Sequence, residues 1–230
     1  MEESVEKFSK LIIDCDDIPV GIISDLEKFF LHRRSSQTAE KGTFMNQPLS
    51  EMSLEELWQL FPIRLVAHRA CWKEWYQTEK DRLQPFLPDT VKIHHIGSTS
   101  INGIYAKPTI DILAEANPND YGAIKTRLLQ NGYLCMAETE TRMDFNRGYT
   151  PEGFAERVFH LHLRKFGDNE ELYFKDYLNE HPAAAEAYEK LKLSLWRKFE
   201  HDRDGYTESK TAFVREYTQK ARMQYGRKYG

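Results

Sequence analysis

The chain is poor in the features that mark several large protein classes. It has only three cysteines, Cys15, Cys71 and Cys135, widely spaced and in no C-x-x-C pair. That spacing argues against a disulfide framework or a zinc knuckle and predicts inert thiols. No apolar run approaches the roughly 20 residues that span a bilayer, and the acidic start lacks the basic residues and apolar stretch of a signal peptide. A cytoplasmic protein without membrane contact is expected. P-loop and Rossmann glycine patterns are missing, as are a nucleophilic triad, RNA-recognition and zinc-finger signatures, internal repeats and low-complexity tracts. Kinase, dehydrogenase and serine-hydrolase readings therefore have little support.

What charge there is lies unevenly. Residues 1–50 carry six basic and nine acidic side chains, whereas residues 187–230 carry eleven basic and six acidic. The basic end suits phosphate. Its positive charges are interspersed with acids, so it reads as a solvated helix surface and nucleic acid is not the expected partner.

At 230 residues the chain fits one domain with an appendage. Residues 1–50 read as a helical extension and linker. Phe8, Leu11, Ile12, Ile22, Ile23, Leu26, Phe29 and Phe30 recur near helical spacing up to His32, and a polar, breaker-punctuated stretch follows from Arg33 to Ser50. The apolar face of this arm needs a cover, either the main domain or a protein partner.

Residues 51–230 read as an α+β domain. Ser53 and Glu56 have capping-box spacing and open a helix that Pro62 closes, and a helix from about 70 to 85 sets Trp72, Trp75, Tyr76 and Leu83 along one side. Strands are expected at 91–96, 109–114, 133–137, 141–146 and 157–164, with a helix at about 120–131 that ends on Gly132. The C-terminal third is predicted helical. One helix runs from Asn179-Glu180-His181-Pro182 to about Phe199, and a second is capped by Thr207 after a turn at 202–205.

The chemistry concentrates after the first strand. Val91 to Ile96 breaks into Gly97-Ser98, whose backbone N–H groups can face an anion, and Asp111 returns on the next strand within a run of isoleucines. A buried carboxylate there needs a cation. Strand, Gly-Ser turn and returning acid are the layout by which nucleotidyltransferase-fold proteins hold a nucleoside triphosphate and Mg²⁺. His160 and His162 alternate with Phe159, Leu161 and Leu163 and project from one strand face, as metal ligands or substrate-orienting groups would.

His95-Ile96-Gly97-Ser98-Thr99, Gly103, Ala106-Lys107-Pro108 and Ile110-Asp111-Ile112 together resemble the signature of the GrpB family, small proteins assigned to the nucleotidyltransferase superfamily. Further matches follow in family order: Phe159 to His162, Tyr173 to Leu178, His181-Pro182, Tyr188 with Leu191-Lys192, and Tyr206 to Lys210. The resemblance spans about Phe61 to Arg222. It implies a nucleotidyltransferase-like mixed sheet flanked by helices. It also implies a nucleoside triphosphate bound with Mg²⁺ or Mn²⁺, and nucleotidyl transfer to an unidentified small-molecule or protein acceptor.

In that reading Gly97, Ser98, Thr99, Lys107, Arg147 and Tyr206 bind phosphate or nucleotide. Asp111, Lys192 and Lys210 act in catalysis, and Asp111, His160 and His162 hold metal. The chain departs from the family at Ile101-Asn102-Gly103-Ile104, where Val-Pro-Gly-Leu is usual, and at Lys175, where arginine is usual. Thr109 also stands where active nucleotidyltransferases place a second acid. That departure keeps two alternatives in view, a catalytically silent nucleotide- or phosphometabolite-binding adaptor and a His/Asp metallohydrolase.

Overall fold

A computed structural model describes residues 48–229. The helices expected between 5 and 32, Cys15 and most of the expected linker lie outside the described residues. Five strands, β1 (Lys92–Ile96), β2 (Thr109–Ala116), β3 (Leu134–Glu138), β4 (Arg142–Thr150) and β5 (Gly153–Lys165), form one mixed sheet in the order β1-β2-β5-β4-β3. The β2–β5 pair is parallel and the others are antiparallel. Among the described residues six α-helices accompany it: α1 (Leu54–Leu60), α2 (Cys71–Leu83), α3 (Tyr121–Gln130), α4 (Glu170–Glu180), α5 (Pro182–Trp196) and α6 (Arg203–Tyr225). The α+β class expected from the sequence is the class observed. Among the described residues, no helix is long and apolar enough to cross a membrane.

Period-two alternation gives the sheet two chemically different faces. Ile110, Ile112 and Ala114 of β2, Phe159, Leu161 and Leu163 of β5, and Met143 and Phe145 of β4 point one way. They pack with Trp72 and Leu83 of α2 and with Tyr121, Ile124 and Leu128 of α3 into the main core. Opposite them stand Asp111 and Glu115, His160, His162 and Arg164, and Asp144 and Asn146, nearly all buried. Burying that many polar groups is costly unless each is paired. Helices α4, α5 and α6 cover this polar face, held to one another by Phe174, Leu178, Ala185, Tyr188 and Val214.

The capping box forms as read: the Ser53 hydroxyl accepts from the Glu56 N–H at 3.2 Å, and Glu56 accepts from the Ser53 N–H at 2.7 Å. Ser53→Ala is therefore expected to cost about 1 kcal/mol, read as a lowered urea midpoint with unchanged slope. Just before it, Leu49 is buried against Leu57, Phe61, Met136, Tyr149 and Val158.

Three features differ from the sequence expectation. Asn179-Glu180 end α4 instead of starting the next helix, which begins at Pro182, whose missing N–H costs nothing in a first turn. Asp202, not Thr207, caps the last helix, accepting from the Gly205 N–H at 2.9 Å, so Arg203, Asp204 and Gly205 of the expected turn already form its first turn. The β4–β5 hairpin is also longer than expected. A register irregularity between Arg147 and Tyr149, around Gly148, shifts the alternation and carries both strands on to Thr150 and Gly153.

Candidate functional site

Gly97 ends β1 with φ 69° and ψ −177°, a conformation open essentially to glycine alone. The turn needs glycine for a second reason. A Cβ at this position would lie 2.1 Å from Oδ2 of Asp111 and 2.8 Å from Asp111 Cβ and Cγ. The turn thus packs against the one acid that β2 presents beside it, joining the two halves of the sequence motif into one structure.

Parallel pairing sets Asp111 opposite His160, and Leu113 opposite His162. Nδ1 of His160 lies 3.2 Å from Asp111 Oδ1, and its Nε2 meets the Tyr149 hydroxyl at 2.8 Å. Nδ1 of His162 bonds Asp144 Oδ1 at 2.7 Å, and Arg164 donates to the same oxygen at 2.7 Å. Burial pushes the Asp144 carboxyl up, but the Arg164 charge and the hydrogen bonds from His162 and Arg164 outweigh it and hold the group below the usual aspartate value. Asp144 therefore stays ionised and fixes the His162 ring through Nδ1. One donor atom each from Asp111, His160 and His162 falls within 4.8 Å of the other two.

Between this face and the C-terminal helices lies a cavity of about 360 Å³, within the range of small-molecule sites. Gly97, Ser98, Lys107 and Asp111 line it from the sheet side, and Tyr188, Lys192, Tyr206 and Lys210 from α5 and α6. Both lysines follow a tyrosine by four residues, so each ammonium lies over the ring one turn back, Lys192 at 4.7 Å from the Tyr188 centroid and Lys210 at 4.4 Å from that of Tyr206. Lys192 also donates to the Tyr105 carbonyl. Nine of the sequence-predicted residues thus converge: Gly97, Ser98, Lys107, Asp111, Lys192, Tyr206 and Lys210 line the cavity, and His160 and His162 stand beside Asp111.

Two predicted residues do not join them. Thr99 is buried under the turn, donating to the Thr109 carbonyl at 3.0 Å, and is absent from the cavity wall. Its only proton is used there, so the His95 Nε2 found 3.0 Å from its oxygen carries the hydrogen of that contact. Burial and the nearby Lys175 charge push the His95 ring down to about 4, so it is neutral near pH 7. Arg147 lies on the other sheet face, paired with Glu79 and stacked 4.6 Å over Phe159. Its register explains this: it pairs with Phe159, a core-facing residue, and not with His160.

Sequence reasoning also missed residues. Tyr149, Asp144 and Arg164 orient the histidines. The polar alternation Arg142, Asp144, Asn146 was the available signal for the β4 members. At the far end of the cavity, Arg142 grips Asp168 with bonds of 2.8 and 2.7 Å, and Arg222 meets Glu170 at 3.0 Å. Glu171 lines the same end, and burial pushes its carboxyl up to about 7.

A family model described as GrpB protein matches residues 62–220, which include the turn, Asp111, both histidines and both cavity lysines. The chain belongs to the GrpB family. It is 36% identical over 160 residues to the glutamate-rich protein GrpB of Alkalihalophilus pseudofirmus, covering 66% of this chain and 91% of that one. It is 31% identical over 170 residues to the UPF0157 protein YqkA of Bacillus subtilis, covering 70% of this chain. There the match spans about half of the relative's length, 49%. The crystal structure of the conserved protein GrpB from Enterococcus faecalis superposes with a TM-score of 0.63 at 28% identity, covering 70% of this chain and 99% of that chain.

The donor set can be tested against the metals expected from the sequence. Mg²⁺ favours six oxygen ligands and keeps waters, so it would use Asp111 together with ligand phosphates. Two imidazoles with one carboxylate suit Mn²⁺, Zn²⁺ or Fe²⁺.

Proposed function

We propose that this GrpB protein binds a nucleoside triphosphate with a divalent ion in the cavity under α4–α6, as the binding step of nucleotidyl transfer. The observation that carries the reading is convergence. An anion-accepting Gly97-Ser98 turn, the Asp111 carboxylate and three lysines, Lys107, Lys192 and Lys210, line a single cavity although they come from four separate stretches of chain. The turn and lysines would take the phosphates, Asp111 the ion (Mg²⁺ or Mn²⁺), and Tyr206 or Tyr188 would offer a ring edge to the nucleoside. In transfer, an acceptor oxygen or nitrogen would bond to the α-phosphorus while the bond to the bridging oxygen breaks. Pyrophosphate would then leave with its charge offset by Lys192 and Lys210.

A thermal-shift panel of nucleoside triphosphates with and without Mg²⁺ or Mn²⁺ tests the reading. A ligand at 100 times its Kd adds about 2.7 kcal/mol to stability. The metal-dependent shift is expected in the native chain, lost in Asp111→Asn and reduced in Lys192→Met, which keeps the buried stem. No shift with any triphosphate sinks the reading. A shift without pyrophosphate release would favour the silent-binder alternative, to which buried Thr109 in place of a second acid already points.

A further inference from the structure

Strand β5 carries its two histidines in an i, i+2 relation, and each ring is fixed by a different partner through a different nitrogen. Tyr149 meets His160 at Nε2, so Nδ1 is the nitrogen on the Asp111 side, 3.2 Å from Oδ1. Asp144 takes His162 at Nδ1, so a metal would take that ring through Nε2. The partners are themselves held. Arg164 bonds Asp144 at 2.7 Å, and both terminal guanidinium nitrogens of buried Arg203 lie 3.4 Å from the Tyr149 hydroxyl. The two imidazoles stand at 89° to each other with centroids 6.4 Å apart.

Metal-ligating histidines characteristically engage their second nitrogen with an oxygen partner of this kind, which sets tautomer and ring orientation. Spacing agrees. Ligands about 2.1 Å from a tetrahedral ion stand about 3.4 Å from one another, and the 3.2 Å between His160 and Asp111 already matches one such edge. One donor atom of His162 also lies within 4.8 Å of a donor atom of each of the other two.

We infer that Asp111, His160 and His162 form a transition-metal site for Zn²⁺, Mn²⁺ or Fe²⁺ that the protein fills without any nucleotide, with Tyr149 and Asp144 as its positioning residues. The inference goes beyond the nucleotide reading and is independent of it, because the donors are all protein side chains. Of the three, Asp111 lines the cavity while the histidines are buried behind it, so the ion's remaining coordination position would open towards the cavity. A metal there would be a fixed part of the protein, and the ion that Asp111 presents to an incoming triphosphate would be this resident one.

The test uses the full chain, stripped of metal, nucleotide-free and titrated with Co²⁺ as a spectroscopic probe. The native chain is expected to bind about one Co²⁺, with visible absorption that added Zn²⁺ abolishes. Asp111→Asn and His162→Gln are expected to lose both. Tyr149→Phe and Asp144→Asn should weaken Co²⁺ binding 10- to 100-fold and alter the spectrum, on the scale of outer-partner changes at known sites. The exposed Lys190→Ala change should leave titration and spectrum as they are. Tyr149→Phe is the safer positioning variant, since Asp144→Asn also disturbs Arg164, and circular dichroism verifies that each variant is folded. Absence of stoichiometric Co²⁺ in the native chain, or equal binding by Asp111→Asn, overturns the site. Native affinity and spectrum in folded Tyr149→Phe overturn the positioning role.

Discussion

Gly97→Ala is expected to remove ligand binding altogether while leaving a folded, less stable protein. The backbone at Gly97 sits at φ 69°, and holding an alanine there costs about 1–3 kcal/mol. The larger effect is local. The new methyl would overlap Asp111 at Oδ2, Cβ and Cγ together, so rotating the carboxylate alone cannot relieve it. Either Asp111 swings away from His160 or the turn lifts off β2, and both outcomes separate the phosphate-binding turn from the carboxylate. Gly103→Ala is the matched control. Its φ of 76° is also positive, so an alanine is strained there too, but a Cβ meets nothing within 4 Å. Both variants should therefore lose stability in urea, Gly97→Ala the more because of its overlap with Asp111, with the nucleotide or metal thermal shift absent in Gly97→Ala and retained in Gly103→Ala. Equal retention by both would mean that the turn and Asp111 do not form one site.

That contact also marks how far the sequence could be read. Strand alternation was enough to place Asp111, His160 and His162 on polar faces, and the order of motifs was enough to place the chain in an α+β fold. Alternation along β4 was legible up to Asn146, beyond which the irregularity at Gly148 reverses the phase. Tyr149 then reaches the His160 face against the parity its number suggests. Arg147 fails for the same kind of reason. Nothing in a single sequence says which strand β4 pairs with, and the pairing with Phe159 commits its guanidinium to the core-facing side. The C-terminal helices were visible as helices. That Lys192 and Lys210 turn the same way into one cavity depends on the packing of α5 and α6 on the sheet, a tertiary fact with no local signature.

Glu79 carries the second large effect, and it reports on stability alone. This carboxylate, buried in the middle of α2, accepts from Arg82 at 2.6–3.1 Å, from the Tyr133 hydroxyl at 2.6 Å, and from Arg147. It ties α2 to β4 and to the start of β3 on the sheet face opposite the cavity. Breaking such a buried ion network by removing one partner costs about 3–5 kcal/mol. The two arginine side chains are each about a third exposed, at 32% and 31%, and can regain water. Glu79→Ala should accordingly fall near the lower end, about 3 kcal/mol, and Arg147→Ala should cost about 1.5–3 kcal/mol because Arg82 still serves the carboxylate. Burial pushes the Glu79 carboxyl up, but the Arg82 and Tyr133 hydrogen bonds and the arginine charges prevail and hold it below its ordinary value of 4.5. A group whose folded pKa is depressed stabilises the fold at every pH above its unfolded value, and that contribution is lost as pH falls through the folded one. Urea midpoints for native protein and Glu79→Gln should thus differ by a constant amount above about pH 5.5 and converge below 4.5 as the native carboxyl takes up its proton. Arg147→Ala, scored in the thermal-shift panel, should melt earlier yet keep the full ligand-induced shift. A selective loss of that shift would return Arg147 to the binding site from which its pairing with Glu79 removes it.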